Sequence, residues 1–267
     1  MLSLKNVSAG YGPSTKLRVN RKLAVREVTM HVAEGEFVGL IGPNGSGKTT
    51  LLRVISGVLA PFEGEVLLRD APLRTIGKRR LAQMMACLPQ ELASDQAFTV
   101  REIVTMGRSP HLSRMGRETA KDSEEVEKAM ALADVADIAD RFMTEISGGE
   151  RQRAFIAMCL AQEPQILLLD EPTSHLDVGH QLSLLDLVRR LNRKTGMTVV
   201  AVFHDLNLAA EYCDRLLLLH QGRTEALGSP EEVLTAEIIQ RVYQAKVLTE
   251  PNRISGKPHI VISAGAE

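Results

Sequence analysis

The stretch Gly42-Pro43-Asn44-Gly45-Ser46-Gly47-Lys48-Thr49 matches the pattern G-x-x-x-x-G-K-[ST] in full. Bare glycines let backbone N–H groups turn inward around phosphate oxygens, and a helix opening directly after them adds the positive end of its dipole. In that chemistry Lys48 bridges the β- and γ-phosphates of a nucleotide, and the Thr49 hydroxyl ligates Mg²⁺. A second stretch, Ile166-Leu167-Leu168-Leu169-Asp170-Glu171, is an apolar run ending in two carboxylates. Alone, such a pair reads as a helix-capping surface feature. Beside a phosphate loop, Asp170 is placed to hold Mg²⁺ through water and Glu171 to polarise the water that attacks the γ-phosphate. His204 ends the apolar run 199–203 in the same manner and reads as a γ-phosphate sensor that also orients the water. Ser147-Gly148-Gly149-Glu150 has the S-x-x-E spacing of a capping box at the start of a helical run. Its two glycines exceed what a cap requires; they let bare backbone approach another group, which suits a second phosphate contact.

Strands and helices must aim these groups. Apolar runs predict strands at 2–7, 24–31, 36–41 and 65–69, with a helix over 48–58 closed near Gly57. From about 91 to 160 the segments favour helix, 120–133 in particular. Strands return at 166–169, 199–203 and 216–219, separated by amphipathic helices near 179–194 and 206–213. The tail from Thr235 reads as a helix followed by short extended pieces around Pro251 and Pro258. Alternating β and α with continuous apolar strands predicts a doubly covered, largely parallel sheet. Three polar sites at the carboxyl ends of three such strands lie where a ligand binds an open α/β sheet.

Composition excludes several function classes. The 267 residues carry 32 basic and 33 acidic side chains, a formal net charge of −1, so the chain is not a cationic coat for nucleic acid. Aromatics are 3% with no Trp, which removes a base-stacking platform. Three widely spaced cysteines (Cys87, Cys159, Cys213) make no disulfide framework and fit a reducing cytosol. No run approaches the ~18 apolar residues of a membrane span. The first residues, Met-Leu-Ser-Leu-Lys-Asn, lack the apolar core of a signal peptide, so the expectation is a cytosolic protein. Basic residues at Arg74, Lys78, Arg79 and Arg80 read as a solvated charged face.

Taken in order, the phosphate loop, Gln90, Ile146-Ser-Gly-Gly-Glu150, Asp170-Glu171, Ser174-His175-Leu176-Asp177 and His204 resemble an ATP-binding cassette (ABC) ATPase. The resemblance runs from Leu2 to about Val233. It implies an α/β fold of the P-loop NTPase class: a RecA-like core with an antiparallel β-subdomain and an inserted helical subdomain. The ATP-binding domain would span 1–235, with the helical subdomain at about 91–163 and a C-terminal extension at 236–267. It also implies a homodimer of cassettes, head to tail, with two ATP molecules sandwiched between them. Each ATP would meet the phosphate loop of one subunit, with Thr50 as a further contact, and Ser147, Gly148, Gly149 and Glu150 of the other. By the same resemblance Tyr11 stacks on adenine, Gln90 contacts Mg²⁺ and the attacking water, and Asp177 crosses the dimer interface. ATP and Mg²⁺ are the cofactors implied.

Three departures stand out. The signature reads Ile-Ser-Gly-Gly-Glu where Leu-Ser-Gly-Gly-Gln is commonest, a conservative change that keeps the cap. The stretch between Tyr11 and Val25, with Lys16, Arg18, Arg21 and Lys22, is longer than usual and reads as an extended hairpin near the adenine. His175 and His180 flank Asp177, but a spacing of five does not align them on one helix face, so no metal site is read there.

The segment 98–117, Glu171-Pro-Thr-Ser-His-Leu-Asp177 and Ser229-Pro-Glu-Glu-Val233 resemble importers of ferric siderophores, ferric citrate, haem and cobalamin. The Leu112-Ser-x-x-Gly-Arg117 element is most similar to the ferric citrate and siderophore members. The implied function is ATP hydrolysis powering uptake of an iron complex through an integral membrane permease fed by a substrate-binding protein. Residues between Gln90 and Arg117 would form the permease docking surface, and the chain would sit peripherally on the cytoplasmic face of the membrane. The alternatives are a soluble ABC ATPase acting on a macromolecular machine such as iron–sulfur assembly, or the detached cassette of an exporter.

Overall fold

A computed structural model describes residues 1–12, 22–90, 98–113 and 118–262. Most of the extended stretch after Tyr11, with Lys16, Arg18 and Arg21, and the 114–117 part of the siderophore-like element lie outside the described residues. The elements in chain order are β1 (Leu2–Tyr11), β2 (Lys22–Val32), β3 (Phe37–Ile41), α1 (Lys48–Ile55), β4 (Glu63–Leu68), β5 (Ala71–Pro72), α2 (Lys78–Met84) and β6 (Met85–Leu88). They continue as α3 (Val100–Met106), α4 (Ala120–Leu132), α5 (Gly148–Ala161), β7 (Ile166–Asp170), α6 (Val178–Thr195) and β8 (Thr198–Val202). The last are α7 (Leu206–Tyr212), β9 (Arg215–His220), β10 (Arg223–Gly228), α8 (Pro230–Val233), α9 (Ala236–Tyr243), β11 (Val247–Pro251) and β12 (Pro258–Ile262). The chain forms two compact units, Met1–Thr75 together with the chain from Val200 onward, and Ile76–Val199.

In the first unit β2, β1, β4 and β5 form an antiparallel sheet in that order. Leu2 pairs with Val32 and Leu4 with Met30, and all four are buried while the intervening Ser3–His31 pair is more exposed. That alternation is the sequence's period of two made physical. Strands β9 and β3 run parallel, Val38 opposite Arg215 and Ile41 opposite Leu218, with β10 antiparallel on the outer side of β9. Every residue of β3 is buried, and Phe37 and Phe203 pack with ring centroids 6.3 Å apart. Burial on both faces is why this strand reads as an unbroken apolar run. Helix α1 ends at Ile55, three residues before the expected 58, because Gly57 takes a left-handed φ of 74°. The tail is more ordered than short extended pieces: β11 and β12 pair as an antiparallel hairpin from Val247↔Ile262 to Pro251↔Pro258.

In the second unit β6 and β7 run parallel, Met85 opposite Ile166 and Leu88 opposite Leu169. Both therefore deliver their following residues, Gln90 and Glu171, to one edge. Helices α3, α4 and α5 each open on a capping box: Thr99 with Glu102, Thr119 with Asp122, Ser147 with Glu150. Each cap is worth about 1 kcal/mol. Arg108, 1% exposed, follows α3 and ties the three helices together. It donates to Asp122 Oδ1 on α4 (3.0 Å), to the carbonyl of Ala161 ending α5 (2.6 Å) and to Glu163 Oε2 (2.9 Å). The basic run at 78–80 is not merely a solvated face. It forms α2, and Arg79 donates through Nε to the Pro110 carbonyl at 2.8 Å and through its fork to that of Leu112.

Asp122 has its pKa drawn from 3.8 down to about 2 by the Thr119 hydroxyl and N–H, with Arg108 adding to the effect. A carboxylate depressed in the folded state contributes stability that is complete above its ordinary pKa and is lost as pH falls through the folded value. Acid titration of the wild type should show this loss between about pH 4 and pH 2. Asp122→Asn should be less stable near neutrality and show a flatter profile across that window, read by urea unfolding at stepped pH.

Candidate functional site

The phosphate loop is built as its sequence requires. Gly42 and Gly47 hold φ of 143° and 107°, where side chains are strained. A Cβ at Gly42 would run into the Leu219 carbonyl and Ser46 Oγ, and one at Gly47 into the Ala24 carbonyl. The loop is pinned by Ser46 N–H to the Pro43 carbonyl (3.1 Å) and by Gly222 N–H to the Ser46 carbonyl (3.1 Å). Lys48 is buried, its ammonium donating to the carbonyls of Gly42 (2.7 Å) and Pro43 (3.1 Å). Ser46 Oγ is buried with no hydrogen-bond partner among the described residues. An orphaned hydroxyl, a captive ammonium and glycines with no room for a side chain fit a phosphate chain.

Around this loop the same unit holds Thr49, Thr50, Tyr11 and His204. The Tyr11 hydroxyl accepts from Arg53 Nη1 (3.0 Å) and from Thr50 Oγ1 (3.4 Å), so the half-exposed ring is tied by its tip to the helix that follows the loop. His204 is exposed one residue past Phe203, whose N–H bonds the Leu40 carbonyl at 3.0 Å. Asp205 then caps α7, accepting from Asn207 N–H (2.8 Å) and Leu208 N–H (3.0 Å). Sequence reasoning passed over Tyr243 at the end of α9. Burial pushes its hydroxyl pKa up to about 12, with the backbone amide of Gly42 acting in the opposite direction. No local pattern announces a contact between residues so far apart in the chain.

The second unit holds Gln90, Asp170, Glu171, Ser147–Glu150 and Asp177. Asp170 is buried at the end of β7, and Glu171 turns the chain with a φ of 52°. Gln90 Nε2 donates to Glu171 Oε2 at 2.5 Å, so the glutamine and the carboxylate named from the sequence meet. Ser147 N–H and Oγ–H donate to Glu150 Oε2 at 2.8 and 2.7 Å, and the two donations hold the Glu150 pKa below the usual carboxylate range, the backbone one first. Asp177 caps α6 through His180 N–H (2.9 Å) and pairs with His180 Nδ1 (2.7 Å), which lowers its pKa. His180, read only as an unaligned neighbour, lies against Gly149, where a Cβ would strike its ring. The bare backbone of the second glycine was the signal for a close neighbour; the identity of that neighbour was not legible.

The family described as ABC transporter matches residues 25–174. The ferric enterobactin transport ATP-binding protein FepC of Escherichia coli is 39% identical over 96% of the chain and 92% of its own length. The hemin import ATP-binding protein HmuV of Pseudomonas aeruginosa is 44% identical over 98% and 99%. An uncharacterized ABC transporter ATP-binding protein of Bacillus subtilis, YvrA, is 42% identical over 98% of the chain, which spans only 58% of that relative's length. Among solved structures, the inward-facing form of a transporter thought to be of the metal-chelate type superposes with a TM-score of 0.83 at 27% identity, covering 98% of this chain and 97% of its own. A dimeric ATP-binding cassette caught after hydrolysis with ADP and phosphate gives 0.72 at 30%, covering 86% and 99%. With the phosphate loop, the capped signature helix and the Gln90–Glu171 pair in place, the chain belongs to the ABC transporter family, as an ATP-hydrolysing cassette.

Proposed function

We propose that this chain is the ATP-hydrolysing subunit of an importer of an iron complex, a ferric siderophore or ferric citrate ahead of haem or cobalamin, working through an integral membrane permease. The observation that carries the nucleotide chemistry is the loop cradle: Lys48 held on two loop carbonyls beside an orphaned Ser46 hydroxyl, closed by Gly42 and Gly47, which admit no side chain. The cargo class is supported by full-length relatives named for ferric enterobactin and hemin. Among the described residues no helix is long and apolar enough to cross a membrane, which suits a peripheral subunit at the cytoplasmic face.

Two cassettes would close head to tail on two ATP molecules. Residues Gly42 to Thr50 bind the phosphates and Tyr11 stacks on adenine. Ser147, Gly148 and Gly149 of the other subunit contact the γ-phosphate at the start of a capped helix, and Asp177 crosses the interface. Thr49, Asp170 and Gln90 are the residues that would hold Mg²⁺, which would supply positive charge against the phosphates. Glu171, steadied by Gln90, takes the proton of the attacking water, and His204 orients that water and senses the γ-phosphate. Loss of the bridging phosphate lets the pair reopen, and permease subunits clamped to both cassettes convert closure into alternating access.

Deleting the gene should abolish growth on a ferric siderophore as sole iron source while growth on abundant free iron persists. The chain should also copurify with a membrane permease. Wild-type growth on siderophores, citrate and haem alike, with the chain absent from membranes, would overturn the importer reading.

A further inference from the structure

The hairpin β11–β12 is fastened to α7 at several points along its short length. Asn207, in the first turn, makes a two-point amide contact with the backbone of Ile260: its Oδ1 accepts from Ile260 N–H (2.7 Å) and its Nδ2 donates to the Ile260 carbonyl (3.2 Å). Glu211 Oε1 accepts from Asn252 Nδ2 (3.0 Å) and Ser255 Oγ (2.6 Å). At the far end the Lys257 ammonium donates to the carbonyls of Ala210 (3.0 Å), Glu211 (3.2 Å) and Cys213 (3.4 Å). These are the carbonyls a helix leaves unsatisfied, and a cation there also complements the helix dipole. Helix α7 begins two residues after His204, with Asp205 as its cap. Movement of α7 would therefore drag either His204 or the hairpin.

From this arrangement we infer that the C-terminal hairpin is a brace for the catalytic histidine: Lys257 and Asn207 are positioning residues that fix α7, and α7 fixes His204. The inference rests on the proposed role of His204 in ATP hydrolysis. Its chemistry is confined to geometry; neither residue touches nucleotide. The hairpin thus fastens the helix that follows His204.

The test is a double-mutant cycle on steady-state ATP hydrolysis by the purified chain, with Lys257→Met and His204→Ala. Lys257→Met should lower kcat about tenfold, equivalent to ~1.4 kcal/mol in the barrier, and leave the KM for ATP within about twofold. Lys257→Arg should restore most of the rate. In the His204→Ala background, Lys257→Met should have almost no further effect. Equal losses in both backgrounds, a raised KM with unchanged kcat, or an unchanged rate would each overturn the brace. Full turnover in His204→Ala alone would instead remove His204 from the chemistry, and the inference with it. If Lys257→Met does not fold, Asn207→Ser, which loses the two-point contact with Ile260, is read on the same cycle with the same outcomes.

Discussion

Glu171→Gln is expected to lower steady-state ATP hydrolysis by at least about 100-fold, the usual range for removing a general base, while ATP still binds. The change keeps side-chain length and shape and removes only the carboxylate that takes up a proton. Gln90, which donates to Glu171 Oε2 at 2.5 Å, can still donate to the new amide carbonyl, so the edge of β6 and β7 should not rearrange. The phosphate cradle of Lys48 and its glycines is untouched, as is Asp170. Nucleotide should then enter and stay, and a nucleotide-bound dimer should accumulate, visible by size-exclusion chromatography with ATP. Turnover at the wild-type rate would remove Glu171 from the reaction. Loss of ATP binding itself would mean that Glu171 is structural.

The largest expected effect on stability is at Arg108. Replacing it with Ala leaves Asp122 and Glu163 without their cation and the Ala161 carbonyl without its donor, in a site where the arginine is 1% exposed. Removing one partner of a buried ion pair costs about 3–5 kcal/mol. In a chain of this size that corresponds to a fall in Tm of roughly 10 °C, measured calorimetrically. Arg108→Met with Asp122→Asn should recover part of the loss, because the apolar stem is kept and the stranded charge is gone. A drop below about 1 kcal/mol for Arg108→Ala would place this network among ordinary surface pairs.

These two sites also mark the boundary of what a single sequence discloses. Glu171 is proposed as the base because three local signals coincide: an unbroken apolar strand, an acidic pair at its end, and a phosphate loop elsewhere in the chain. Buried strands, capping boxes and glycine loops are short-range patterns, and 166–170, 147–150 and 42–49 carry them in full. Arg108 carries no such pattern. It follows a helix of seven residues, and its burial depends on Asp122, fourteen residues on, and on Glu163, fifty-five residues on. A charge is read as exposed until its partners are known, and those partners are assembled only by tertiary packing. The hairpin was reduced to extended pieces for a related reason. Its strands are five residues each, bounded by Pro251 and Pro258, with none of the two-residue turn chemistry that announces a hairpin. Lys257, in that connection, would be taken for a solvated charge, yet it closes the end of a helix more than forty residues earlier. Local chemistry thus points to the groups proposed to react, while the packing that holds Arg108 and Lys257 becomes visible only in three dimensions.

The tethering of Tyr11 has a spectroscopic consequence. The chain contains three tyrosines and no tryptophan. One of the three hydroxyls is bonded to Arg53 on the helix behind the phosphate loop. The intrinsic ultraviolet emission of the protein therefore includes that of a ring tied to the helix behind the nucleotide cradle, with no indole signal to mask it. Filling of the cradle should therefore change the tyrosine emission of the native chain, without a dye or an engineered label.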